Sequence, residues 1–238
     1  SKKDQNIRSL VQPMVCLQSL TGPGMEAKKI QIKTLFLCFA VVLSIELGMW
    51  VVTSKSAYHP MLILAGARLL QILLIVLIVV TWGKGLSSIG LARSEMVSGL
   101  RKGLIWSAVF GAITSIVCIG LFAASINPLT FIQARIPTQT SDLILFFIVG
   151  GILGPVAEEL FFRGILYGFL RRWGVIVALV FSTLIFVLCH PINSGIPITR
   201  LLGGILFAVA YEISGSLIVP ITIHGLGNLA IFTISLMS

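Results

Sequence analysis

Hydrophobic positions in this chain fall in continuous runs, and polar positions cluster between them. Apolar runs of about 20 residues suit helices that cross a bilayer, because 1.5 Å per residue then covers a hydrocarbon core of about 30 Å. The pattern predicts seven such spans, over residues 30–53, 60–82, 103–125, 143–170, 175–189, 201–213 and 216–236. The short strand-like alternation that a membrane β-barrel requires is not the pattern here. The expected fold class is therefore all-α, a polytopic transmembrane helical bundle of about seven spans. The sixth run is the shortest and suits a tilted or partly re-entrant helix. The fourth is longer than the hydrocarbon core requires and is expected to tilt or to emerge on the cytoplasmic side.

Polar segments divide the runs. Residues 1–29 are polar and basic with a Gly-Pro-Gly break, and lack the apolar centre and small-residue cleavage site of a signal peptide, so they read as a cytoplasmic tail. Residues 83–102 form a basic linker with a short amphipathic piece, and a polar loop leads to Asp142. Asp142 or Ser141 is expected to cap the fourth helix by accepting from its free N–H groups. Three regions result: the tail 1–29, accessory helices over 30–142, and a core over 143–238.

Composition supports the membrane reading. The chain is 57% hydrophobic and 11% charged, with a mean hydropathy of +1.05, a balance that no water-soluble domain needs. The net charge of +9 does not indicate nucleic acid, because the basic residues lie in short loops between apolar runs. With the N-terminus inside, about twelve of the 17 Lys and Arg face the cytoplasm. Lys55, Arg135 and Arg200 then face outward, which predicts an N-in, C-out arrangement by the positive-inside rule. Cys16, Cys38, Cys118 and Cys189 are scattered and read as small core residues rather than a disulfide framework.

Candidate chemistry comes from the ionisable residues inside the apolar runs, each of which costs roughly 2.5 to 3.5 kcal/mol at a helix centre. Glu46 and Arg68, on the first two spans, lie at similar depth and read as an ion pair, with a substrate or ion site as the other reading. The fourth run carries Glu158, Glu159 and Arg163. Residues advance about 100° along a helix, so Glu159 and Arg163, four apart, share a face, and Glu158 points elsewhere. Glu158 is then the candidate general base and Glu159 the structural partner of Arg163. His190 follows Phe186 by four near the end of the fifth span. His224 and Asn228 share a face of the last span, with Gly225 and Gly227 permitting close helix approach.

A carboxylate and a histidine can activate one water between them, and a second histidine with an asparagine can donate N–H groups to a developing oxyanion. These are parts that amide hydrolysis requires. Glu158, His190 and His224 also match the ligand types of a catalytic zinc, although they come from three helices without HExxH spacing. Spacing leaves both readings open.

The motifs Glu158-Glu159-Leu-Phe-Phe-Arg163, Phe186-Val-Leu-Cys-His190 and His224-Gly-Leu-Gly-Asn228 resemble, in order and spacing, those of the CPBP family. These are intramembrane proteases, also called the CAAX protease and bacteriocin-processing or Abi family. The likeness covers residues 143–238. It implies a conical catalytic cleft among the last four helices, in the cytoplasmic membrane of a prokaryote. It further implies that Glu158 and His190 activate water, that His224 and Asn228 hold the oxyanion, and that Glu159 and Arg163 support the site. A glutamate-type mechanism without a metal cofactor is the favoured implication, with zinc on Glu158, His190 and His224 the other. The expected partners are the bilayer and a membrane-tethered protein or peptide substrate, lipidated or not. His190, near the outer end of its span, hints at a cleft open to the outer leaflet. Two non-peptidase readings remain: a membrane scaffold, sensor or immunity protein of the same family, and a proton-coupled carrier. The latter is disfavoured by the lack of a visible inverted repeat.

Overall fold

The computed structural model describes residues 30–55, 59–132, 134–190 and 198–237. The expected tail 1–29, with Cys16, and the loop after His190 lie outside the described residues. Among the described residues the regular elements are all helical, in seven successive helices. They are α1 (Ile32–Lys55), α2 (Pro60–Thr81), α3 (Met96–Ala123), α4 (Thr140–Trp173), α5 (Val175–Leu188), α6 (Ile198–Ser214) and α7 (Ile218–Met237).

Five of these are long and apolar enough to cross a membrane: α1, α2, α3 with its preceding turn, α4 and α7. The chain is thus an integral membrane protein with five candidate spans, and the expectation of about seven is corrected. Helices α5 and α6 do exist, but with 14 and 17 residues they fall short of the roughly 20 that a full crossing takes. Helix α5 gives way to a turn at Cys189, and α6 carries Arg200 and Glu212. Helix α3 starts about two turns earlier than its apolar run, because backbone hydrogen bonding continues through Arg101 and Lys102, whose long side chains can reach an interface.

The expected cap at the start of α4 is also corrected. Gln139 occupies the cap position without a side-chain bond. Asp142 lies inside the first turn and faces the start of α2, where its carboxylate pairs with His59 Nε2 at 2.8 Å. Ser141 meets Asp142 rather than the backbone. At the far end, Gly174 with φ of 107° terminates α4, a conformation that disfavours any residue with a Cβ.

Helix α4 is the centre of the bundle. All eight residues from Leu160 to Tyr167 are buried, packed within a cluster that includes Cys38 of α1, Ile75 and Val79 of α2, Phe186 of α5 and Tyr211 of α6. Of the cysteines, Cys38 is buried as expected, whereas Cys118 is only partly buried and Cys189 is exposed. Glu46 and Arg68 form the expected ion pair between α1 and α2, and Gln71, which the sequence reading passed over, bonds to both. Another unanticipated anchor is Glu212 of α6. It accepts from Tyr167 Oη at 2.8 Å and from Arg171 Nε and Nη2 at 2.7 to 3.0 Å.

Helix α4 is not uniformly α-helical. It widens into π-helix over Val149–Leu153 and again over Leu160–Tyr167. Two facts make the first of these a docking point. The N–H of Gly154 bonds back five residues to the Val149 carbonyl, and Pro155 has no N–H. The Gly150 carbonyl therefore has neither its i+4 nor its i+5 donor. Asn228 of α7 fills that role, donating from Nδ2 to the Gly150 oxygen at 2.8 Å. Alongside, Gly225 of α7 sits so close to α4 that a Cβ there would lie 2.8 Å from the Gly151 carbonyl oxygen.

This contact is backbone against backbone and cannot yield by a rotamer change. Gly225→Ala is expected to destabilise the protein by about 1 to 3 kcal/mol through overpacking. Gly227→Ala, at a position with open space, is expected to be neutral or stabilising by up to about 1 kcal/mol. Thermal unfolding of the two variants in detergent checks the contrast, and equal melting temperatures would contradict the close approach.

Candidate active site

The site lies where the middle of α4 meets the end of α5 and the middle of α7. Glu159 and Arg163 are fully buried, and their side chains pair at 3.0 Å between Arg163 Nη1 and Glu159 Oε1. The same Glu159 oxygen accepts from His224 Nδ1 at 2.8 Å. A carboxylate can only accept, so Nδ1 of His224 carries the proton, and its Nε2 is turned the other way. Arg163 also donates from Nη2 to the Gly204 carbonyl of α6 at 3.1 Å. Its guanidinium lies over the rings of Phe186 and Phe207 at 4.7 and 5.3 Å. Phe207 in turn stacks on the His224 imidazole at 4.5 Å. Phe207 and Gly204 are functional neighbours that the sequence offered no signal for, because an aromatic and a glycine on an apolar helix read as ordinary packing.

Glu158 is in a different position. Its carboxylate is partly accessible and faces two imidazoles, His190 Nε2 at 3.6 Å and His224 Nε2 at 3.8 Å. Both separations exceed a normal hydrogen bond. His190, just past the end of α5, donates from Nδ1 to the Phe186 carbonyl of that helix at 2.7 Å. A carbonyl can only accept, so Nδ1 carries a proton and Nε2 is the nitrogen that faces Glu158. The expected division of the two glutamates is therefore present in space. Glu159 is held by Arg163 and His224, and Glu158 faces the histidines.

Of the six residues singled out in the sequence, Glu158, His190 and His224 converge from three helices, and Glu159 and Arg163 lie directly behind them. Asn228 takes a different neighbour: one of its two amide hydrogens is committed to Gly150, the unpaired carbonyl eight residues before Glu158 on α4.

Glu158, His190 and His224 are the candidate zinc ligands. Bonds of 2.0 to 2.1 Å in a tetrahedral shell place neighbouring ligand atoms about 3.4 Å apart. The Glu158 oxygen stands 3.6 and 3.8 Å from the two ring nitrogens, close to that spacing. Among the described residues, no group of three or more His, Cys, Asp and Glu side chains is disposed to hold a metal ion.

Comparison with known proteins agrees with the motifs. A family model for Rce1-like type II CAAX prenyl endopeptidases matches residues 140–230. A curated relative, the membrane-embedded CAAX protease MroQ of Staphylococcus aureus (strain USA300), is 36% identical over 107 residues, which is 42% of this chain. The chain spans only 40% of the length of that relative. No solved structure matches. The matched segment contains every residue of the polar constellation described above.

Proposed function

We propose that this chain is an intramembrane endopeptidase that hydrolyses a peptide bond of a membrane-tethered substrate, with Glu158 as the general base. The observation that carries this reading is the unequal commitment of the two adjacent carboxylates. One is consumed by a buried arginine and histidine, and the other faces two imidazole nitrogens at 3.6 and 3.8 Å, beyond a direct hydrogen bond.

In the proposed reaction, a water between Glu158 and His190 gives a proton to Glu158 as its oxygen bonds to the scissile carbonyl carbon. His190, with its Nδ1 tied to Phe186, orients that water through Nε2. The carbonyl oxygen becomes an oxyanion. His224 Nε2, aimed by the Nδ1 bond to Glu159, donates to it from the imidazolium form of the ring. The second amide hydrogen of Asn228 is the other donor. Collapse breaks the C–N bond, and Glu158 returns its proton to the leaving nitrogen. Arg163 and Glu159 hold His224 in place and touch no reacting atom. No step is routed through a metal. Residues 143–238 would form the catalytic core and 30–142 the accessory helices. The basic linker 83–102 would lie at the cytoplasmic face, so that His190 opens towards the outer leaflet of the cytoplasmic membrane.

Glu158→Gln is expected to reduce cleavage of a prenylated peptide by at least about 100-fold, the usual contribution of a general base, with the melting temperature unchanged. Cleavage assays of purified protein in nanodiscs check this, and near-wild-type turnover would rule out the assignment. The assay is expected to be insensitive to a strong chelator, with no zinc found by elemental analysis; loss of activity that zinc restores would replace the glutamate mechanism by a metal one. Arg163→Met leaves Glu159 buried with half its support and is expected to cost about 3 to 5 kcal/mol of stability. Denaturation in mixed micelles measures that loss, and a neutral outcome would show that Glu159 is not held as a charge.

A further inference from the structure

Helix α6 is too short for a full crossing, yet it brings two residues against the buried centre of the site. Gly204 accepts from Arg163 Nη2 at 3.1 Å through its carbonyl. Phe207, less than one turn further on, lays its ring on the His224 imidazole, with centroids 4.5 Å apart and planes 19° apart. This is a face-to-face contact. Phe186, by contrast, meets the same imidazole edge-on at 6.1 Å. Phe207 takes no part in the proposed chemistry itself.

The Phe207 ring is firmly confined. It is buried, the Arg163 guanidinium lies over it at 5.3 Å, and Phe186 abuts it edge to face at 6.5 Å. It also belongs to a small apolar cluster with Ala210 of its own helix and Val219 and Ile223 of α7, backed by Trp106 of α3. The ring leans back along α6 over Gly203, where a Cβ would stand 3.3 Å from it. Glycine at 203 leaves room for that tilt.

His224 needs such a support. Its bond to Glu159 fixes the position of Nδ1, but the outer torsion of a histidine has a broad energy profile that does little to hold the ring plane. An N–H···O bond also keeps most of its strength over about 30° of misalignment. The bond to Glu159 alone therefore leaves the imidazole free to rock, and rocking carries Nε2 away from the space beside Glu158. We propose that Phe207 is a positioning residue for the hydrolysis, holding the plane of the His224 ring so that Nε2 stays aimed at the developing oxyanion. The inference rests on the endopeptidase reading and adds to it a residue on α6. A misplacement of about 1 Å at a reacting group costs on the order of 100-fold in rate. A ring that touches no reacting atom thus governs turnover through the imidazole it supports.

The test separates a flat face from mere bulk. Phe207→Leu and Phe207→Met keep most of the apolar volume and lose the face, whereas Phe207→Tyr keeps the face. Cleavage of the prenylated peptide in nanodiscs is followed below the melting temperature of every variant. Leu and Met are expected to lower kcat about tenfold or more with KM within about twofold of the parent, and Tyr to restore kcat to within about threefold. Ring motion is read separately by NMR in the Glu158→Gln protein, where no turnover intervenes. The chain has three histidines, so ring-labelled histidine gives three Cε1–H signals, and that of His224 is the one lost in Glu158→Gln/His224→Gln. It is expected to be sharp with Phe207, broadened by microsecond-to-millisecond exchange with Leu or Met, and sharp again with Tyr. If Phe207→Leu fails to fold, Phe207→Met carries the comparison. A kcat for Leu and Met within about twofold of the parent, equal losses in Leu, Met and Tyr, or a His224 signal that Leu and Met leave sharp would overturn the proposal and leave Phe207 as packing. Should the parent cleave nothing, the endopeptidase reading falls, and the His224 signal still decides whether Phe207 holds the ring.

Discussion

The buried oxygen Oε1 of Glu159 is the point on which this site depends. It accepts from Arg163 on its own helix and from His224 on the last one, and so couples helical register to tertiary packing in a single atom. Removing two charges from water costs several kcal/mol per ion unless they are closely paired. Here the pairing is direct, and the guanidinium is also covered by two aromatic rings. The cluster is nonetheless not fully satisfied. Glu159 Oε2 and Arg163 Nε are buried without a partner among the described residues. Such an arrangement is expensive for stability alone, and it makes sense as the cost of orienting His224, whose Nδ1 is fixed so that Nε2 faces Glu158.

A second constraint comes from the backbone of α4. Gly150, Gly151, Gly154 and Pro155 weaken the regular helix, and the π-helical turn that results presents a carbonyl with no donor of its own. Helix α7 answers with the Asn228 amide and with Gly225, which allows the two backbones to touch. The glycines and the asparagine around His224 thus do mechanical work that places the imidazole. That mechanical role leaves Asn228 one further amide hydrogen.

The accessory helices are tied to this centre by charge as well as by apolar packing. His59 with Asp142 joins the start of α2 to the start of α4, and Tyr167 and Arg171 clamp Glu212 of α6 near the other end of α4. Glu46, Arg68 and Gln71 bind α1 to α2. Polar contacts within a bilayer are a costly way to fasten helices, and their placement around α4 is what turns separate apolar helices into a walled site.

Much of this was legible in the linear chain, for definite reasons. Hydropathy located all seven helices, because an apolar run has few other fates in a membrane protein. Four-residue spacing assigned Glu159 to Arg163, because that contact lies within one helix and needs no partner. The Glu46–Arg68 pair followed from matched depth on adjacent spans. What the chain alone left undecided depends on contacts between distant segments or on backbone geometry. Hydropathy does not record whether α5 and α6 are long enough to cross. The π-helical turns arise from missing donors and are stabilised by α7. The bonds of His224 to Glu159, of Asn228 to Gly150 and of Asp142 to His59 each join residues far apart in sequence. The sequence by itself determined which ionisable residues lie inside the apolar runs and which carboxylate an arginine would occupy; only the tertiary structure decided which imidazole nitrogens face the other carboxylate, because that requires three helices to meet at one depth.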